Sequence, residues 1–329
     1  YIQLPAVNLE TAFWLESDRM LSLAFSEKSL DVQRKVVCEE FKEHYINKPY
    51  GDVWHKMRTL AFKSHPYRWM TIGKDLKHIE EATLNDVKAF FKKHYCPANA
   101  VLVVAGPVKT EDVRMMAEKW FGDIPSGDKY DRRLPQEPAQ TETRRLVVEA
   151  DVPLDALYMC WHMPARMEPG YQAVDMLTDI LGSGASSRLH QSLVKEQKLF
   201  SNVECYHFGS TDRGLLTIEG KLVTGVTLEA AESAVQKEID QLLTNGVTED
   251  ELQKAKNKTE SMIAFEDMSV MNRATSLAHY ELLGDADMMN TEFARYAAVT
   301  IKDVLVQAEQ IFRMENPTVM YYRSKPEAV

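Results

Sequence analysis

Two stretches of this chain follow one pattern at an offset of 217 residues, and that repetition limits the fold more than any single motif does. TLNDVKAFFKKHYCPANAVLVVAG begins at Thr83, and TIKDVLVQAEQIFRMENPTVMYYRS begins at Thr300. Each opens on a Thr with Asp three residues later and continues as an amphipathic helical run. Each then turns near an Asn, Asn99 or Asn316, and ends in a β-rich strand, from Ala100 to Ala105 in the first copy. Asn8-Leu9-Glu10 and Thr227-Leu228-Glu229 carry the register further upstream.

The second copy has a complete set of elements before that point. Strand-like LVVEA and ALYMCWHM come first, followed by a helix from about Tyr171 and another from Ser187 to Gln197. A hairpin, VECYHFGS and GLLTIEGKL, then turns at Thr211 to Gly214. Nothing corresponding precedes Tyr1, so the first copy is expected to lack roughly 74 residues by the same offset and the chain to begin inside a domain. GDIPSGDKYDRRLPQEPAQTETRR, with its prolines, glycines and charges, reads as an exposed linker near 122–143. Successive helices follow the hairpin, the one at TEDELQKAKNKTESMIAF opening on a Thr cap. The expected class is α+β, with two related sheet-plus-helices domains of which the first is truncated at its N-terminus. The division is 1–125, a linker at 126–143, and 144–329.

A formal charge of -10 and a pI near 5.5 argue against a nucleic-acid binder, which needs a basic patch, while cationic peptides would be tolerated. No stretch approaches the roughly 20 apolar residues of a membrane span. The opening YIQLPAVNLE has no basic region leading into a long apolar run, so it does not read as a signal peptide, and the compartment stays open. Cys38, Cys96, Cys160 and Cys205 are widely spaced with no CxxC pair and read as core thiols.

DVQRKVVCEEFKEHY reads as a helix from Asp31, with Asp31 as its cap. Gln33, Val36, Val37 and Glu40 share one stripe, so Glu40 is expected to face inward while Glu39, about 100° around, stays wet. An inward carboxylate must be paired, neutral or bound to a cation, and on helix geometry alone a salt-bridged or rim residue is commoner than a metal ligand.

VQRKVVCEEFKEHYINKPYG, preceded by NLETAFWLESDRM, resembles the segment of insulinase-type (pitrilysin) zinc metallopeptidases that carries their distal zinc ligand. The resemblance continues through HPYRWMTIGKDLKHIEEATLNDVKAFFKKHYCPANAVLVVAG and GSGASSRLHQSLVKEQKLF, and so over essentially the whole chain. It implies that Glu40, the second of two glutamates after a Val-Val pair, is a zinc ligand. The other ligands and the base of this family lie on an HxxEH helix, where two histidines one turn apart share a face and the glutamate activates a zinc-bound water. Neither HxxEH nor HExxH occurs here, and the corresponding helix of the second copy, YQAVDMLTDILGSG, has no histidine. His44 stands one turn from Glu40, but that pair supplies only two ligands, and an exposed histidine is the plainer reading.

The resemblance also implies an Arg and, seven residues on, a Tyr that hold the peptide, but Val194 and Ser201 stand near those positions, with Phe200 adjacent. Either a partner subunit supplies those contacts or peptides are held otherwise, as by edge-strand addition. Gln33 stands where some relatives have a further glutamate. GSGASSRL lacks the ending of a phosphate loop and reads as a helix-to-helix turn with Ser capping. Trp14, Trp54, Trp69, Trp120 and Trp161 read as core or interface packing, and the methionines, among them Met262, as core filling.

The expected function is therefore that of a piece of a zinc-dependent endopeptidase, acting on peptides or small proteins and inactive alone, with no catalytic residue of its own. Zn2+ is implied for the intact protein and no tight zinc for this chain. The alternative is a non-catalytic partner or scaffold subunit, working with a second copy or a paralogous subunit.

Overall fold

A computed structural model describes residues 1–325, which form two compact units interleaved along the sequence. One comprises Tyr1–Glu43, Ile72–Arg133 and Met262–Thr291, and the other His44–Thr71, Leu134–Ser261 and the described residues from Glu292 onward. Twelve α-helices, six short 3-10 or π segments and five strands make up the regular structure of the described residues. In chain order these begin with α1 (Leu9–Leu21), α2 (Glu27–Phe41), α3 (Val53–Ala61), α4 (Leu76–Glu81), α5 (Leu84–His94) and α6 (Thr110–Phe121). The strands and helices β1 (Arg144–Ala150), β2 (Ala156–Met163), α7 (Tyr171–Gly182), β3 (Phe200–Phe208) and β4 (Gly214–Leu222) follow. The last are α8 (Leu228–Asn245), α9 (Glu249–Glu266), α10 (Val270–Leu283), α11 (Met288–Ala297), α12 (Ile301–Glu309) and β5 (Thr318–Ser324).

The α+β class holds, and its one sheet lies in the second unit, ordered β1-β5-β2-β4-β3. β1 runs parallel to β5, and the remaining neighbours are antiparallel. β2 is central and buried along its whole length, because successive side chains meet a helical layer on each face. Tyr158 and Cys160 pack with Val53, Met57 and Ala61 of α3. On the opposite side α7, α8 and α12 form the second layer. Val174, Leu177, Ile180 and Leu181 of α7 are essentially inaccessible. Each such side chain contributes about 1.5–3 kcal/mol by leaving water.

The repeat survives at atomic detail in its helix starts. Thr83 and Thr300 both close capping boxes with the Asp three residues on, and the three hydrogen bonds measure 2.9, 2.6 and 3.2 Å in each. The strands part company. β5 closes the second copy, whereas residues 100–105 form no strand among the described residues. β-rich sequence makes a strand only where another strand receives its hydrogen bonds, and in the first unit none of the described residues does so. Val101 and Leu102 are left exposed.

Other expectations need correction. The helix read from Asp31 starts earlier, at Glu27, where Ser26 and Ser29 form the capping box. The stretch read as a helix from Ser187 to Gln197 is mostly a wider π-turn, His190–Glu196. The segment expected as an exposed linker is irregular, but its second half is tied down within the second unit. The carboxylate of Glu137 accepts the N–H groups of Lys63, Ser64 and His65, and Gln140, 3% exposed, donates to the carbonyls of Asn316 and Pro317. Trp161 is in the core as expected, but Trp14 and Trp69 are exposed, and Met262 and Met268 fill no core. All four cysteines are buried and free. No helix among the described residues is long and apolar enough to cross a membrane.

Candidate functional site

Glu40 lies one residue from the end of α2, in the first unit, and its side chain is exposed. The inward stripe of α2 is instead Leu30, Arg34, Val37, Cys38 and Phe41, of which Cys38 and Phe41 are buried. The inward-facing reading of Glu40 is thus corrected: Val36, on the same stripe, is 53% exposed, and apolar Val36 misled the periodicity. Glu39 pairs with Lys42 at 2.7 Å, while none of the described residues pairs with Glu40. Arg34 anchors the helix by donating to the Ala82 carbonyl at 2.6 Å. Gln33 is exposed on the same outer face.

A zinc site needs three or four convergent ligands. Among the described residues no group of three His, Cys, Asp or Glu side chains is placed to hold a metal ion, so the residues present do not fit a zinc centre. The burial cost that sequence reasoning attached to Glu40 is absent as well, and the family pattern alone points to it as a ligand.

In the second unit, β3 is an edge strand, the arrangement that backbone addition of a peptide requires. Ser201, Asn202 and Glu204 are exposed along it, and the register slips between Phe200 and Asn202. Ser201 donates to the Lys221 carbonyl at 3.0 Å, and Phe200 is buried, so neither replaces the tyrosine that the family pattern places there. Val194 lies within the π-turn. Glu204 stands opposite Glu219 of β4, a like-charged cross-strand pair that ordinarily costs stability. Burial pushes the Glu219 carboxyl up, although Tyr206 donates its hydroxyl to it at 2.7 Å.

Sequence reasoning missed a half-buried polar cluster that ties α7 to β3 and α11. Gly209 N–H donates to Nδ1 of His207 at 3.0 Å, which leaves Nε2 carrying the proton and donating to Asp175 at 3.0 Å. Tyr296 donates its hydroxyl to the other oxygen of Asp175 at 2.7 Å. Burial pushes that carboxyl up, but the bonds from His207 and Tyr296 outweigh it and hold it below the usual range. Beside it, buried Glu292 receives Arg166 at 2.7 Å and Arg295 at 3.2 Å. The members are separated by up to 121 residues, and no local pattern announces them.

GSGASSRL forms the expected turn but without the expected Ser cap: Ser187 donates its N–H and hydroxyl back to the Gly184 carbonyl, and no side chain caps the helical segment that follows. Arg188 then forms two bonds with Glu251, at 2.6 and 2.7 Å, and a third with the Gly246 carbonyl. Glu251 also closes the capping box with Thr248, so one carboxylate serves two helices.

Residues 81–259, more than half of the chain, match the family model described as the peptidase M16 inactive domain. The zinc protease PqqE of Helicobacter pylori is 26% identical over 326 residues, covering 98% of this chain and 73% of that protein. An uncharacterized zinc protease of Bacillus subtilis, YmxG, is 24% identical over 302 residues, covering 90% and 71%. The crystal structure of a protease from Helicobacter pylori superposes with a TM-score of 0.90 at 25% identity, over 97% of this chain and 78% of that one.

Proposed function

This chain belongs to the peptidase M16 inactive-domain family, and we propose that it is the non-hydrolytic part of a zinc metallopeptidase, contributing peptide-holding surface and one distal metal ligand, Glu40, to a centre whose remaining ligands it does not contain. The observation that carries this reading is the match of residues 81–259 to the inactive-domain family, together with VVCEE, which resembles the segment bearing the distal ligand and makes Glu40 its second glutamate. Residues 1–125 are the part of a peptidase domain that bears this ligand, 126–143 the connection, and 144–329 the related domain without metal. Peptides or small proteins are the substrates of the whole assembly, and β3 offers an edge at which they add as a strand. Zn2+ belongs to the assembled protein.

The second reading is a non-catalytic partner subunit, favoured by Val194 and Ser201 standing where the family pattern has Arg and Tyr. The discriminating experiment measures cleavage of a fluorogenic unstructured peptide by the chain alone and by the chain with an HxxEH-bearing subunit of the same family. The chain alone, with or without added zinc, is expected to show no turnover; turnover by it overturns the proposal. In the mixture, Glu40→Ala abolishes a gain in activity if Glu40 is a ligand and leaves the gain intact if the chain serves only as a partner.

A further inference from the structure

We propose that the outer edge of β1 joins the same edge of a second copy of this chain, in an antiparallel pair centred on Val147. β1 lies wholly in the second unit, at the end of the sheet opposite β3, and among the described residues no strand pairs with its outer side. Its parallel partner fixes the direction of its backbone groups. Arg144 donates its N–H to the Pro317 carbonyl, and the Ala150 carbonyl accepts the N–H of Lys325. In a parallel ladder every second residue turns both backbone groups to one neighbour, so Arg144, Leu146, Val148 and Ala150 serve β5, with no bulge in the register. The N–H and C=O groups of Arg145, Val147 and Glu149 therefore point outward.

The side chains of these three decide what can pair there. Leu146, Val148 and Ala150 pack toward α3, and Arg145, Val147 and Glu149 alternate with them on the other face, all exposed, Val147 by 53%. Charges ordinarily guard such an edge against stray strands. Here the two guards have opposite signs and flank Val147 at the same spacing, two residues before it and two after, so the strand is complementary to itself.

In the pair centred on Val147, Arg145 lies opposite the second copy's Glu149, Glu149 opposite its Arg145, and the two valines cover each other. A two-fold axis demands this kind of self-match. The same register makes all three of these hydrogen-bonded pairs, each exchanging two bonds, so every outward donor and acceptor of the three residues is used. Pairs centred on Arg145 or on Glu149 would instead set like charges opposite each other, which is destabilising. Glu149 has no ion pair with a described residue. Arg145 holds Glu232 at 2.6 and 2.8 Å, yet 54% of its side chain is exposed, so its guanidinium can bridge Glu232 and the incoming carboxylate. An edge of seven residues makes a small interface, so the dimer is weak and depends on concentration.

The pairing does not depend on the chain's place in a peptidase, and its test reads association rather than turnover. Sedimentation velocity of the full chain from about 5 to 500 µM is expected to show a reversible monomer–dimer equilibrium. Glu149→Arg and Arg145→Glu, each alone, set like charges across the pair and are expected to raise the dissociation constant about tenfold or more. Mixed in equal amounts, the two variants are expected to associate again as a heterodimer, because every cross-strand pair then joins opposite charges. Val147→Pro removes only an outward N–H, which an edge strand tolerates, and is expected to weaken the dimer as much while circular dichroism shows the chain still folded. A monomer throughout the concentration range, a dimer that neither Glu149→Arg nor Val147→Pro weakens, or charge variants that stay apart when mixed overturns the proposal.

Discussion

Gly182 ends α7 at its closest approach to β3, and Gly182→Ala sets two effects of opposite sign against each other. A Cβ there would lie 2.1 Å from the backbone nitrogen of Cys205, 2.4 Å from its Cβ and 2.7 Å from its Cα. Real Cβ contacts essentially never fall below 3.0 Å, so the helix end and the strand must part by about 0.9 Å. The obstacle is backbone, which no change of rotamer removes. A gap of that size forfeits roughly a quarter to a half of each dispersion contact it opens. The contacts at risk include those of Leu181 and Ile180, both essentially inaccessible. Overpacking of this kind costs about 1–3 kcal/mol, and more where backbone must move, whereas replacing a helical Gly by Ala returns about 1 kcal/mol. Because the obstacle is backbone the cost sits at the upper end, about 3 kcal/mol, so the clash wins by about 2 kcal/mol, a fall in melting temperature of roughly 4–8 °C for a unit of this size. Thermal unfolding followed by circular dichroism, with urea unfolding as a second probe, measures it. A melting temperature equal to or above that of the parent chain refutes the packing described for α7 and β3.

Two further outcomes follow from buried charge. Burial lowers the pKa of His162 below its ordinary 6.5, although Nε2 donates to the Ala61 carbonyl at 3.1 Å. The unfolded chain therefore takes up a proton before the folded one does. Stability is complete above pH 6.5 and declines as pH falls below it, by at most about 1.4 kcal/mol per pH unit from this residue. His162→Phe, which keeps the ring against Phe62 and leaves Arg144 on the Ala61 carbonyl, is expected to flatten that slope in urea titrations at stepped pH, and an unchanged slope refutes the assignment. The bond from Arg188, outweighing burial, holds the Glu251 carboxyl down at about 2, so its contribution is present above 4.5 and lost as pH falls toward 2. Arg188→Leu is expected to move the Glu251 titration, followed by carboxyl NMR, back toward its ordinary range, and a resonance that still titrates near the parent value contradicts the pairing.

What could be read in the sequence was local. The capping boxes at Thr83 and Thr300 need only residues three apart, and they are present in matching geometry. The five strands of the second unit were legible because each bears a β-rich run bounded by turn residues. Residues 100–105 have the same composition and no strand partner, which a single segment cannot disclose. Val36 and Val37 are equally apolar in sequence, yet Val36 is 53% exposed and Val37 half-buried, so the pattern alone does not show that Glu40 lies on the outer side of α2. The cluster of Asp175, His207 and Tyr296, and the bond from Gln140 to residues far along the chain, are products of tertiary packing. Pattern and spacing are silent about them.

The central claim is that this chain holds one arm of a metal centre and cannot close the centre alone. Calorimetric titration of zinc into the metal-free chain tests it most directly. The account predicts no stoichiometric site in the micromolar range and no difference between the parent chain, Glu39→Ala and Glu40→Ala, because one carboxylate is too few ligands to hold zinc. Tight one-to-one zinc binding that disappears in Glu40→Ala and persists in Glu39→Ala would contradict it.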